Sequence, residues 1–162
     1  MISGFVVGDD KVIGRFRLVN SRVMDEMRKA TQIIGFRLAA YVQKNKLSGQ
    51  VLKNRTGKLR RSITFVETDT STDSTGGTVG TNTEYAAVHE YGFSGTVTVK
   101  EHLRMMTMAW GRSVTPREIT VRSHPMKMNM PEKSFLRSSL KDNAGMIKDE
   151  YTKAQQRGLS GA

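Results

Sequence analysis

The chain has no cysteine, so disulfide staples and thiolate metal sites are excluded. Histidine is nearly as scarce. His89, His102 and His124 are too scattered to make a ligand set, so neither a structural metal nor a cofactor is expected. No apolar run approaches the roughly 20 residues that span a bilayer, and no membrane partner is expected. Near the start, Gly4, Gly8 and two aspartates interrupt the stretch that a signal peptide would need to be continuously apolar, so the expected setting is a cytoplasm. With one Trp and no alternation of aromatic and basic residues along a strand, the chain also lacks the usual platform for stacking bases.

What remains is a globular composition on the polar side. At 162 residues the chain is long enough for one domain with a core, and residues 1–162 are expected to form a single domain. Hydrophobic residues make up 37%, which suits a protein whose burial is completed by neighbouring subunits. The formal charge is +11, so the partner is an anionic one (DNA, RNA or an acidic protein surface) or the charge simply solvates a face.

The segment Leu47 to Gly92 organises the rest. Its first part, Leu47 to Ile63, carries Lys53, Arg55, Lys58, Arg60 and Arg61 without an acidic residue, and Gly49 and Gly57 suit tight turns in a corner rather than a regular helix. Its last part gathers Tyr85, Ala86, Ala87, Val88 and Tyr91 around His89 and Glu90 and stops at Gly92, the pattern of a short helical turn closed by a left-handed residue.

Around it the pattern predicts an α+β fold: a small antiparallel sheet packed by a long N-terminal helix and a C-terminal helix, with an extended β-hairpin arm. Residues 1–19 read as a β-hairpin turning at Gly8-Asp9-Asp10-Lys11, with Val12, Gly14, Phe16 and Leu18 on one face. Asn20 or Ser21 caps a helix over 20–46, whose stripe is Val23, Met27, Ala30, Ile34, Leu38 and Tyr41. Leu59 to Val66 continues from the corner as a strand, and residues 67–78, without an apolar side chain before Thr78, are expected to be a mobile loop before a return strand to Thr81. Residues 93–130 read as a long hairpin turning at Gly111-Arg112. A phase change after Met105, from Leu103 and Met105 to Met106, Met108 and Trp110, suggests a bulge on the outgoing strand. This Met-rich hairpin is either a docking arm for other subunits or two more strands over the core. Pro131 suits the start of a C-terminal helix over 132–157, weakened at Asn143 and Gly145, with the residues from Arg157 onward frayed.

Three stretches in order, Leu47 to Ile63, Val79 to Gly92 and Met130 to Leu140, carry a resemblance. Together, spanning roughly Val12 to Leu140, they resemble the virion-morphogenesis or tail-completion family of long-tailed bacteriophages, whose members are often minor tail or neck proteins. The resemblance implies a structural virion protein at the head-to-tail junction, assembled in the host cytoplasm. It implies a homo-oligomeric ring, a hexamer matching the tail tube or a dodecamer matching the portal. Adjoining neck, tail-tube or head-closure proteins would be its neighbours, and genome DNA would pass through the bore. Lys53, Arg55, Lys58, Arg60 and Arg61, with Met105, Met106, Met108, Trp110 and Arg112 on the arm, are the candidate interface residues.

Catalytic motifs fail on inspection. His89-Glu90 lacks the second histidine of a zinc-protease motif, since position 93 is Phe93. Thr56-Gly57-Lys58 lacks the earlier glycine of a phosphate loop, and Leu59 stands where Ser or Thr must hold magnesium. Ser62 and Ser94 have no spacing that recommends a triad, and Glu84 and Glu90 do not share a helix face. The chain is not expected to be an enzyme. The alternative to a structural ring protein is a sequence-independent nucleic-acid-binding protein, which the charge favours.

Overall fold

The computed structural model describes residues 9–52, 56–69 and 71–161. The chain divides into two compact units, Met1–Ala86 with Lys133–Ala162, and Ala87–Glu132.

In the first unit a helix, α1, runs over Asp9–Tyr41, 33 residues or about 50 Å at the usual rise. The expected hairpin over 1–19 is therefore corrected from Asp9 onward, and its residues 1–8 lie outside the described residues. The physical reason is the period. Val12, Phe16, Val19 and Val23 follow one another at helical steps and prolong the stripe of Met27, Ala30 and Ile34, so Asn20 and Ser21 lie inside the helix and do not cap it. The α-helix gives way to a π-helical turn over Val42–Lys46, where Val42 is fully buried.

The basic corner folds back through Leu47, whose N–H donates to the Val42 carbonyl at 3.1 Å. Gly49, at φ 119°, takes a turn that few other residues allow. The corner ends in a helical turn, α2 (Lys58–Arg61), where a strand was expected from Leu59. Strands β1 (Thr64–Asp69) and β2 (Gly76–Gly80) then pair antiparallel, with Phe65 opposite Val79 and Glu67 opposite Gly77. The mobile loop expected over 67–78 thus shrinks to the connection between the strands. Backbone pairing needs no apolar side chains, and polar bonds hold the tip. The Ser71 N–H and the Ser74 hydroxyl both donate to the Asp69 carboxylate, and Arg28 on α1 donates to the Ser71 carbonyl at 2.7 Å.

The C-terminal segment is two helices, α4 (Leu136–Asp142) and α5 (Ala144–Ser160), broken at Asn143. The start expected near Pro131 moves to Leu136, and the expected fraying from Arg157 does not occur before Ser160. Gly158 explains the ordered end, because without a side chain it packs directly on Val23 of α1. The core has two parts. Ala39, Val42, Leu47, Ile63, Ala86 and Phe135 form one, and Ala30, Ile34 and Ala154 form the α1–α5 seam. Burial of Phe135, fully enclosed, contributes on the order of 2–3 kcal/mol.

The second unit is a two-tier antiparallel hairpin. Helix α3 (Ala86–Tyr91) leads in and closes at Gly92 in the left-handed conformation, φ 75°, as its sequence predicts. Strands β3 (Phe93–Val99) and β6 (His124–Met130) make the first tier, and β4 (His102–Ala109) and β5 (Arg112–Val121) the second. Both strands break at the same level, and each break has a matching bond. His102 Nδ1 lies 2.9 Å from the Lys100 carbonyl, and His124 Nδ1 lies 2.9 Å from that of Arg122. The turn comprises Trp110 and Gly111, both at positive φ, and not Gly111-Arg112, because Arg112 pairs with Ala109. The bulge is real but lies on the return strand. Between Met106 and Met108 the partner strand advances from Arg117 to Ser113, which sets Val114, Thr115 and Pro116 against Thr107 alone, two residues in excess. A proline without an N–H belongs at such a break in the ladder. Met106 and Met108 therefore share one face and Leu103 and Met105 the other, with no change of phase on β4.

Candidate functional site

The basic corner presents three described cations. Lys58, Arg60 and Arg61 are exposed on α2, and Arg61 donates to the Thr56 carbonyl at 3.3 Å. None of the three has an ion-pair partner among the described residues. Lys53 and Arg55 lie outside the described residues. By contrast Lys46 at the end of the π-turn is tied at 2.7 Å to Asp142, whose carboxyl is held below the usual aspartate range by that bond first. The corner thus carries exposed cations that no described carboxylate neutralises.

The second set sits on the β4–β5 tier. Met105 and Met108 are exposed on opposite faces, Met106 is half-buried, and Arg112 is exposed beside the turn. Trp110 at the turn is 99% exposed at φ 49°. A bulky aromatic residue is uncommon in this region and is strained there by about 1–2 kcal/mol. The first tier has one apolar face, Phe93, Val97 and Val99 opposite Met130, Met126 and His124, and a polar one. A two-stranded ribbon alone is marginal in water, and on this one Phe93, Val97, Val99 and Met130 are half-buried while Met126 is exposed. The corner set and the tier set belong to different units, and each is described by itself.

Sequence reasoning missed a third surface because it took residues 9–19 for the turn and return strand of a hairpin. Val12 and Phe16 continue the buried stripe of α1 beyond the end of α5, and Phe16 is 71% exposed. The signal was in the chain, since Val12, Phe16, Val19 and Val23 have helical spacing.

No constellation for catalysis is assembled among the described residues. The Ser62 hydroxyl, the one nucleophile candidate in the corner, donates to the Leu59 carbonyl at 2.9 Å and sits 2.6 and 2.8 Å from the hydroxyls of Thr81 and Thr83. That is a structural cluster, without a base. No group of three His, Cys, Asp or Glu residues fit to hold a metal occurs among the described residues, and no described helix is long and apolar enough to cross a membrane.

The fold is α+β, with exposed cations on α2 and exposed Met105, Met108 and Trp110 on the β4–β5 tier. A model of the phage virion morphogenesis family matches residues 36–153, and the chain belongs to that family. The match contains all three resembling stretches, and it begins further along α1 than Val12 and ends beyond Leu140 in α5. No curated protein and no solved structure matches the chain. The role is thus a structural, virion-associated one in phage morphogenesis.

Proposed function

We propose that the chain is a ring-forming subunit of the head-to-tail junction, which completes or terminates the tail and joins it to the DNA-filled capsid. Trp110 carries this reading: in a chain of the virion morphogenesis family, an aromatic side chain stands wholly in solvent at a strained turn. Such residues, with methionine and arginine, are the anchors of protein interfaces. A hexamer would match a tail tube and is favoured over a dodecamer. The neighbours are neck, tail-tube or head-closure proteins, met by Arg60 and Arg61 through acidic residues, and the genome passes through the bore.

The test is assembly. Phage made without this protein should accumulate filled heads and tails that do not join, and adding the purified chain should restore joined particles. Normal joining without it would reject the reading. The second reading, sequence-independent nucleic-acid binding, is favoured by the exposed cations of α2, which have no ion-pair partner among the described residues, and the charge of +11. It requires binding to a short duplex that weakens steeply with salt, and no binding near physiological salt disposes of it.

A further inference from the structure

Helix α1 carries an apolar stripe that is covered over only part of its length. From Val23 onward α5 lies on it: Gly158 packs on Val23, and Ala30, Ile34 and Ala154 are buried in the seam. Helix α5 ends at Ser160, and α1 continues past that end from Ser21 back to Asp9, about 20 Å of helix. There the stripe is Val12, Phe16 and Val19, which run into Val23 at steps of four, three and four residues, the spacing of a helix-to-helix seam. Val12 and Phe16 are both exposed.

The covered half shows what this helix packs against. Along one flank of the stripe, Arg15, Arg22, Glu26 and Arg37 follow one another at steps of 7, 4 and 11 residues and so share a side. Two of them lie beside α5 and pair with it, Arg157 donating to Glu26 at 2.9 Å and Arg37 to Glu150 at 3.3 Å. The other two, Arg15 and Arg22, are exposed and have no ion-pair partner among the described residues. From Lys11 to Met24 the chain has four cations and no carboxylate. Of these, Arg17 shares a pocket with Asp73 of the β1–β2 tip and takes no part in the argument.

We propose that the stripe of Val12, Phe16 and Val19 docks an acidic amphipathic helix of another protein, which prolongs the seam where α5 stops and sets carboxylates against Arg15 and Arg22. Helix on helix is the packing that this stripe already makes, and acidic residues complement the flank that α5 leaves open. The same arm of a second copy would set arginine against arginine, and a phosphate backbone would leave Phe16 uncovered. The surface precedes residue 36, where the family match begins, and the inference stands apart from the ring reading.

The test titrates the full chain with two labelled helical peptides, read by fluorescence anisotropy. Both carry leucines at the seam positions, and the flanking residues are glutamates in one and lysines in the other. The glutamate peptide should bind more tightly by roughly ten-fold or more, with a preference that shrinks as salt is added. Phe16→Asp should lower its affinity roughly thirty-fold, as expected for losing one hot-spot contact, and leave the circular dichroism unchanged because the ring is exposed. Arg15→Glu/Arg22→Glu should reverse the preference, which a misfolded chain would not do. Equal binding of the two peptides, or binding of neither, overturns the proposal. So does tighter binding, lost in Phe16→Asp, to phosphatidylglycerol vesicles or to a short DNA duplex, which assigns the surface to lipid or to nucleic acid. An oligomer that Phe16→Asp dissolves assigns the surface to a second copy and overturns the proposal as well. Particle joining judges the ring on its own.

Discussion

Replacing Gly158 by Ala should force the α1–α5 seam apart. A Cβ there would lie 2.5 Å from the Val23 Cα, 2.8 Å from its Cγ2 and 3.0 Å from its N. Two of these are backbone atoms, which no rotamer change can move aside. Overpacking costs about 1–3 kcal/mol, and an obstacle of backbone puts this site in the upper half of that range. Against it, Ala in a helix is favoured over Gly by up to about 1 kcal/mol. The net expectation is a loss of about 1–2 kcal/mol, or a fall in Tm of about 2–8 °C for a chain of this length. Gly145→Ala in the same helix is the control, because its Cβ would meet nothing within 4 Å. It should gain up to about 1 kcal/mol from propensity alone. Thermal denaturation of the two variants followed by circular dichroism isolates the clash, since the unfolded chains gain the same methyl group. Equal shifts for the two would refute the close approach of α5 to α1.

Charge reversal at Arg60 and Arg61 together should abolish head-to-tail joining while moving stability by no more than about 0.5 kcal/mol, as for other exposed positions; intact joining would reject the corner as an interface. Acid should destabilise the first unit through Glu26 and Asp142. The Glu26 carboxyl is held below its ordinary 4.5 by bonds from Lys29 and then Arg157, and that of Asp142 below its ordinary 3.8, first by Lys46. A lowered folded value means the unfolded chain takes up the proton first, so this stability is complete above the ordinary values and lost as pH falls through the folded ones. Tm should therefore hold from neutral pH to about 5 and drop as pH falls below the ordinary glutamate value of 4.5, with a shallower drop in Glu26→Gln/Asp142→Asn, and an equally steep drop would count against these pairs. Ser62→Ala should lower the urea midpoint by an amount worth about 1–2 kcal/mol, because buried Thr83 loses a partner at 2.8 Å; an unchanged midpoint would show that water replaces it.

The architecture was largely legible where one period dominated. Met27, Ala30, Ile34 and Leu38 mark the buried side of α1, and the stop at Gly92 announces the end of α3. The start of α1 was misread because Val12, Phe16 and Leu18 fit both alternation and a helical step, and the choice depends on Val19 and Val23 further on. Residues 67–78 misled in the opposite sense, because a ladder of Gly76, Gly77 and Thr78 forms by backbone pairing that composition does not reveal. A bulge was expected on β4 from the methionines, but the extra residues are on β5 at Pro116, and the apparent phase change only reflects apolar side chains on both faces of β4. A cavity between α1, β2, α4 and α5 needed coordinates, because it arises from residues distant in sequence.

Burial is distributed unevenly between the two units. The first unit buries Phe135, Val42 and Ala30 completely, so its fold needs no neighbour. The second unit places no residue in either apolar core. Its register is set by the ladder, the bulge at Pro116 and the turn at Trp110, all of which are local. A two-stranded ribbon is marginal alone, so a partner that covered it would stabilise it. Hydrogen exchange of the isolated chain should then find slow amides in α1 and α5 and fast ones in β4 and β5, and only the latter should slow on assembly. Equal protection of β4 and α1 in the monomer would mean that the ribbon is stable alone, and the argument from unfinished burial would fall.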